Sequence, residues 1–320
     1  MPSPLRLAVA GVLALAVTLP AIAQDADRAW PKKPIRMIVP FTPGGSNDVL
    51  ARSLSQHLGK TWGQPVVVEN KPGAAGNIGA ELVARAPSDG YTLLIAANNV
   101  MSVNPALYRL GFDPAKDFAP VSLLGTVPIV LVVNPSLPAK DVAQLVSYAK
   151  ANPTKLNYAS SGTGSPQHLS AELFNKLAGV RMTHVPYKGA APATADVLAG
   201  QVQVLFAPIN SVLPHIKSGK LRALAVAGES RAQLLPDVPT IAQAGYPAYR
   251  SDIWIALVAP AGTPADVVRQ IQTETRNTLA DPAVIETLAQ QGIEAKSTTP
   301  DALRALAASD LARWTDVIKS

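Results

Sequence analysis

The chain has 320 residues, enough for two domains of ordinary size, and its 48% hydrophobic against 16% charged content describes a globular protein. The net charge of +6 is scattered, aromatic residues make up 5%, and no basic run exceeds Lys32-Lys33, so a nucleic-acid footprint is excluded and only a weak bias toward anionic ligands remains. With no cysteine, disulfides, thiolate metal sites and a cysteine nucleophile are excluded as well.

The first residues read as a secretory signal, with Arg6 as the positive end, Leu7 to Leu19 as the apolar stretch and Ala21-Ile22-Ala23 as a small-residue cleavage site. Cleavage after Ala23 removes one charge and leaves +5. The apolar run is too short for a transmembrane helix and nothing comparable recurs, so a soluble, freely diffusing periplasmic protein is expected.

Ile35 to Val39 is predicted to be a strand, and the apolar residues Leu50, Leu54 and Leu58 predict a helix. Between them lies Pro40-Phe41-Thr42-Pro43-Gly44-Gly45-Ser46-Asn47-Asp48. Here two glycines let a ligand approach the backbone, and Ser46, Asn47 or Asp48 can cap the helix. The first amides of a helix lack intrachain partners and carry the positive end of its dipole, so such a turn suits an anion. Pro65 to Glu69 predicts a second strand, followed by a second glycine turn from Asn70 to Gly79 and a short helix through Ala86. Tyr91 to Ala96 predicts a third strand, ending at Asn98 and Asn99. Strands alternating with helices at this spacing mean a parallel sheet whose ligands sit beyond the carboxyl ends of its strands.

From Val121 to Val133 two apolar runs flank Gly125-Thr126-Val127-Pro128, where the crossover into a second domain is expected. A helix is predicted from Lys140 to Lys150 and a strand from Leu156 to Ala159. Then comes a third glycine turn, Ser160-Ser161-Gly162-Thr163-Gly164-Ser165, opening a helix with Leu169, Leu173, Phe174 and Leu177 on one face. A helix at Ala193 to Leu198 and strands at Val202 to Phe206 and Ala223 to Ala227 complete this segment. After a strand at Trp254 to Val258 the chain becomes helical, with starts marked by Thr263-Pro264, Asp281-Pro282 and Thr299-Pro300. In the last helix Leu303, Leu306, Leu311, Trp314, Val317 and Ile318 form a stripe expected to pack on the first domain. Residues 24–124 with 249–320 are therefore expected to form one lobe and 125–248 the other, with a cleft at the hinge.

Several motifs fail on their context. Gly59-Lys60-Thr61 ends a helix instead of opening one, and Gly73, Gly76 and Gly79 lack the dinucleotide spacing. The histidines His57, His168, His184 and His215 lack the i, i+4 pairing of a helical zinc site, so neither a metal nor another cofactor is expected. His168 follows the third glycine turn by three residues, placed either to donate to a ligand or to cap and pack. No G-x-S-x-G elbow occurs, and no candidate loop carries paired carboxylates, so an enzyme is not expected.

At family level the chain resembles the periplasmic substrate-binding receptors of tripartite tricarboxylate transporters, the Bug-type receptors. The resemblance spans nearly the whole mature chain. It rests on Trp30 to Asp48 (WPKKPIRMIVPFTPGGSND), Val67 to Gly79 (VVENKPGAAGNIG), Ala84 to Leu94 (ARAPSDGYTLL), His184 to Gly189 (HVPYKG) and Leu213 to Val226 (LPHIKSGKLRALAV). Pro236 to Gly245 (PDVPTIAQAG) and Ala259 to Pro264 (APAGTP) follow in the family's order.

The resemblance implies a type II periplasmic-binding-protein fold, an α/β class in which two lobes close on a small carboxylate, either a di- or tricarboxylate or an aromatic acid. It implies ligand contacts from backbone amides and small polar side chains. On this chain these are Phe41, Thr42, Gly44, Gly45, Ser46 and Asn47 from the first lobe, and Ser161, Thr163, Gly164, Ser165 and His168 from the second. Asn98, Asn99 and the segment from Ala207 to Ser211, with Ala207 and Asn210 foremost, are candidates for the walls; Tyr187 and Lys188 belong to a hallmark whose role, hinge, packing or contact, stays open. Integral-membrane transporter subunits are the implied partner, no nucleic acid is expected, and the protein is expected to be a monomer. Alternatives are a receptor that presents its ligand to a sensor kinase and a hydrolase or lyase on the same fold. Ala207 stands where many members carry aspartate, so nothing there pairs with a ligand ammonium, and the ligand is expected to lack an amino group.

Overall fold

A computed structural model describes residues 30–319 apart from 154. The signal sequence at 1–23 lies outside the described residues. The first lobe opens with β1 (Ile35–Val39), α1 (Ser46–Trp62), β2 (Val66–Asn70), α2 (Asn77–Ala84), β3 (Thr92–Ala97) and α3 (Asn104–Leu107). A long strand, β4 (Phe118–Val133), then leads to α4 (Val142–Ala151), β5 (Asn157–Ser160), α5 (Pro166–Ala178), β6 (Thr183–Pro186), α6 (Ala190–Leu198), β7 (Val204–Pro208), α7 (Ile209–Lys217) and β8 (Arg222–Val226). The chain returns through β9 (Asp252–Pro260), α8 (Ala265–Ala280), α9 (Pro282–Gln290), β10 (Glu294–Ala295) and α10 (Pro300–Lys319).

Two sheets result, joined through β4. In the first the order is β2-β1-β3-β9-β4, with β1 parallel to both β2 and β3, and β9 antiparallel to its neighbours β3 and β4. In the second, β5 lies between β6 and β7, parallel to both, and β7 and β8 run antiparallel to β4. The two apolar runs around Gly125 to Pro128 are thus one strand. It pairs β9 from Phe118 to Pro128 and β7 from Ile129 to Val133, so it changes sheets at Pro128. Proline is tolerated there because one ladder ends and another begins. Gly125 meets β10 so closely that a Cβ would stand 2.7 Å from the Glu294 carbonyl.

The predicted faces are the buried ones. Leu50, Leu54 and Leu58 of α1 are fully buried against the first sheet, Phe174 of α5 is buried in the second lobe's core, and Leu169 of α5 is buried in a small separate cluster with Val103 and Trp314. Each sheet has the same layout, with its first strand in the middle and the next two on either side. Chains leaving the middle strand and its later neighbour diverge to opposite faces and leave a crevice at their carboxyl ends. In the first lobe that switch point lies between β1 and β3, and in the second between β5 and β7.

Candidate functional site

The two crevices face each other. One cavity between them is lined by Phe41, Thr42, Gly45, Ser46 and Asn47 after β1 and by Ala97 at the end of β3; Ser161, Pro166 and Gln167 follow β5, Ala190 follows β6, Pro208 ends β7, and Ile253 lies on β9. Its volume is about 40 Å³, room for only a few waters on the same measure. A second cavity of about 350 Å³ shares Phe41 and Ser161 with it. That cavity is bounded by Gly73 to Gly76 and Tyr108 of the first lobe and by Gly162, Thr163, Tyr187 and Lys188 of the second.

The small volume reflects lobes that are in contact. Ser46 Oγ donates to Asn210 Oδ1 across the cleft at 2.6 Å, and Asn210 Nδ2 donates to the Gly44 carbonyl at 3.5 Å. The Tyr108 hydroxyl donates to the Thr163 carbonyl. Gly164, with φ at +78°, is closed in by Asn104, Leu107 and Tyr108, where a Cβ would approach to between 3.0 and 3.3 Å.

Four helices aim their N-termini at the first cavity. Gly45 caps α1 and Ser46 begins it, Pro166 and Gln167 open α5, Ala190 opens α6, and Pro208 caps α7. None of the lining residues is charged. The positive field therefore comes from peptide dipoles, with no arginine or lysine clamp.

Each glycine loop is held by its own lobe. In the first, Asp48 reaches back to accept from the Gly44 amide at 3.0 Å and also binds Arg52 and Asn70. Burial pushes the Asp48 carboxyl up, but these bonds outweigh it and hold the group below its ordinary range. Asn47 donates to the Ile95 carbonyl at 3.1 Å. Around Ala74 and Ala75 the backbone is left-handed, at φ 47° and 52°, a conformation that costs non-glycine residues of order 1–3 kcal/mol. It is held there by Asn99 and Asn104, which both donate to the Ala75 carbonyl.

In the second lobe Ser165 caps α5 by accepting from the His168 amide at 3.3 Å. His168 turns inward: its Nδ1 accepts from the Gly164 amide at 3.1 Å and its ring stacks on His184 at 4.1 Å. Ser160 Oγ lies 2.6 Å from His184 Nε2 and accepts from the Gly162 amide at 3.1 Å. Burial, reinforced by the adjacent His168, pushes His184 down to about 4; burial lowers His168 despite the opposing pull of Glu172.

Of the sequence candidates, Phe41, Thr42, Gly45, Ser46, Asn47 and Ser161 meet at the first cavity, and Thr163 lines the second. Gly44 and Asn210 bridge the lobes beside Ser46, Gly164 packs at their contact, and Ser165 and His168 support the loop from behind. Asn98 donates to the Asp252 carbonyl at the hinge and Asn99 braces Ala75, so neither lines either cavity. Ala207 is buried on β7 opposite Val130, and the cavity meets its neighbour Pro208.

This layout of paired crevices agrees with the chain's relatives. The family model described as "Tripartite tricarboxylate transporter family receptor" matches residues 50–320. The chain belongs to this receptor family. Among the family's relatives, the protein BugT of Bordetella pertussis is 39% identical over 315 residues, 98% of this chain and 96% of that protein. An R. palustris protein solved with adipate superposes with a TM-score of 0.89 at 39% identity, covering 91% of this chain and 98% of that one. MatC of Rhodopseudomonas palustris, solved with bound malate, gives a TM-score of 0.86 at 34% identity over 90% of this chain and 100% of that one.

Sequence reasoning missed five wall residues of this receptor's first cavity, Ala97, Pro166, Gln167, Ala190 and Ile253, whereas Pro208 lies inside the Ala207 to Ser211 segment expected at the walls. Four are apolar or small and carry no local signal. Gln167 carries a weak one: it is a polar residue in the first turn of a helix that opens from a glycine loop.

Proposed function

We propose that the protein captures a small organic carboxylate in the interlobe cleft of the exported receptor and hands it to a membrane transporter, without chemical turnover. The observation that carries this reading is the convergence of four helix N-termini on a cavity lined by no charged side chain. Each terminus contributes about 0.3–1 kcal/mol to a nearby anion, and each charge-assisted hydrogen bond about 1.5–3. Micromolar affinity needs about 8 kcal/mol net. Contacts from both lobes reach that value, so closure belongs to the binding event and gives a transporter a shape to read. The adipate and malate bound by the two R. palustris relatives support the ligand class. Among the described residues no helix is long and apolar enough to cross a membrane, in keeping with a receptor that works beside its transporter.

Binding without turnover is supported by the state of the nearby serines. Ser46 and Ser161 hydroxyls bond to Asn210 and Gln167, and Ser160, which does neighbour a histidine, is fully buried and lines neither cavity. No aspartate or glutamate lines either cavity, so a ligand ammonium would find no counter-charge and the ligand lacks an amino group. Isothermal titration of mature protein, stripped of ligand by unfolding and refolding, tests this against mono-, di- and tricarboxylates, aromatic acids and amino acids. One-to-one micromolar binding of an amino-free acid is expected. Silence across the panel from folded protein, or tight selective binding of aspartate or glutamate, would overturn the reading.

A further inference from the structure

Among the polar side chains at the first cavity, most donors are already committed inside the protein. Ser46 gives its proton to Asn210, Asn47 turns its amide to the Ile95 carbonyl, and Ser161 gives its proton to Gln167 Oε1 at 2.8 Å. Gln167 and the half-buried Thr42, whose hydroxyl bonds to no described residue, are the exceptions, and Gln167 is the more enclosed of the two. It occupies the second position of α5, is only 5% exposed, and lines the cavity. Because Ser161 occupies its carbonyl oxygen, the Gln167 carboxamide is oriented with Nε2 as the remaining polar atom, and among the described residues Nε2 has no hydrogen-bond partner. Nε2 is not sealed within the protein, so it stands open to an acceptor brought into the cavity. At the start of a 13-residue helix the local field selects an anionic acceptor over a neutral one.

We propose that Gln167 is the specificity-determining donor of the cleft: oriented by Ser161, its Nε2 binds a carboxylate oxygen of the ligand and discriminates against ligands that present a donor there. This rests on the carboxylate reading above and adds the residue that enforces it. A carboxamide in this place does what an arginine clamp would do less selectively, since it satisfies one oxygen without calling for a second charge. A ligand amide can turn only a neutral carbonyl oxygen to Nε2 and so forfeits the charge-assisted part of that bond, while presenting its own N–H there would leave both donors unpaired.

The test is titration of the parent protein, Gln167→Leu and Gln167→Glu with adipate, malate and benzoate, each beside its amide counterpart, with thermal melts confirming that all three proteins fold. The parent is expected to prefer the acid to the amide. Gln167→Leu loses about tenfold or more in affinity for the acid, as expected when a hydrogen bond to a charged group is removed. Gln167→Glu binds the acid more weakly still and reverses the preference toward the amide, a change that a merely structural role for the residue would not produce. Ser161→Ala, which frees the carboxamide to rotate, narrows the preference while leaving the melt near that of the parent. Parent protein silent toward these three acids and toward the wider acid panel above would overturn the carboxylate reading and this assignment with it. Parent binding that both Gln167 variants retain within about threefold, with the preference for acid intact, would overturn the assignment alone.

Discussion

His184 sits directly behind the second ligand loop, its Nε2 against Ser160 and its ring 4.1 Å from His168 and 4.9 Å from Tyr158. A second charge in this stack would be both desolvated and repelled, which is why burial and the neighbouring ring hold His184 down to about 4. The unfolded chain protonates near the ordinary histidine value of about 6.5. Between that value and about 4 the unfolded state therefore binds more protons than the native one, so stability falls as pH falls through this window and levels off below it. Burial gives His168 the same sign. Thermal melts of the parent should drop in temperature on acidification from pH 7 to 4.5. His184→Gln, whose amide can still meet Ser160, should show a shallower drop. Parallel curves for the two proteins would show that the stack does not control acid stability.

The helix-opening loops act as elements, and the start of α6 shows how. Gly189 has φ of 168°, an extended conformation open to any residue, yet a Cβ there would stand 2.1 Å from Thr42 Oγ1 and 3.0 Å from Thr42 Cβ on the opposite lobe. Gly189→Ala should leave each lobe's fold unstrained and hold the lobes apart. Overpacking of this kind costs about 1–3 kcal/mol, so carboxylate affinity should fall by about tenfold or more, through a faster off-rate, with a melting temperature close to that of the parent. Thr42→Ala in the same chain should recover part of the loss. Parent-like affinity for Gly189→Ala would mean that the ligand-bound lobes never approach this closely. The turn chemistry of these loops was legible in the sequence, because glycine, serine and asparagine between a strand and a helix carry their geometry locally. What the loops touch was not legible: Thr42 and Gly189 meet only once two sheets are assembled. For the same reason Gly125 and Pro128 read as a break between two runs. In the fold Gly125 makes room for the Glu294 backbone and Pro128 marks the change of sheet within one strand.

At the scale of the whole molecule, the C-terminal helix ties the chain's end to both lobes. As its apolar stripe predicted, α10 packs on the first lobe: Leu303 is fully buried, Ser102 donates to the Ala307 carbonyl at 3.1 Å, and Trp254 Nε1 donates to Asp310 at 3.1 Å. The stripe did not reveal that Trp314, only 2% exposed, packs in one cluster with Val103 of the first lobe and Leu169 of α5, two residues beyond Gln167. The cluster is thus a contact between lobes away from the β4 hinge, and part of its energy is available only when they are closed. Trp314→Ala should cost about 3–5 kcal/mol of stability, the range for removing a buried tryptophan, and should also weaken ligand binding, because the closed form loses more contacts than the open one. A double-mutant cycle with Leu169→Ala separates the two roles. If the helix bridges the lobes, the two changes should couple by about 0.5–3 kcal/mol in the ligand-bound protein and less in the ligand-free protein. Equal coupling in both states would confine Trp314 to holding the fold together and leave closure to the ligand loops alone.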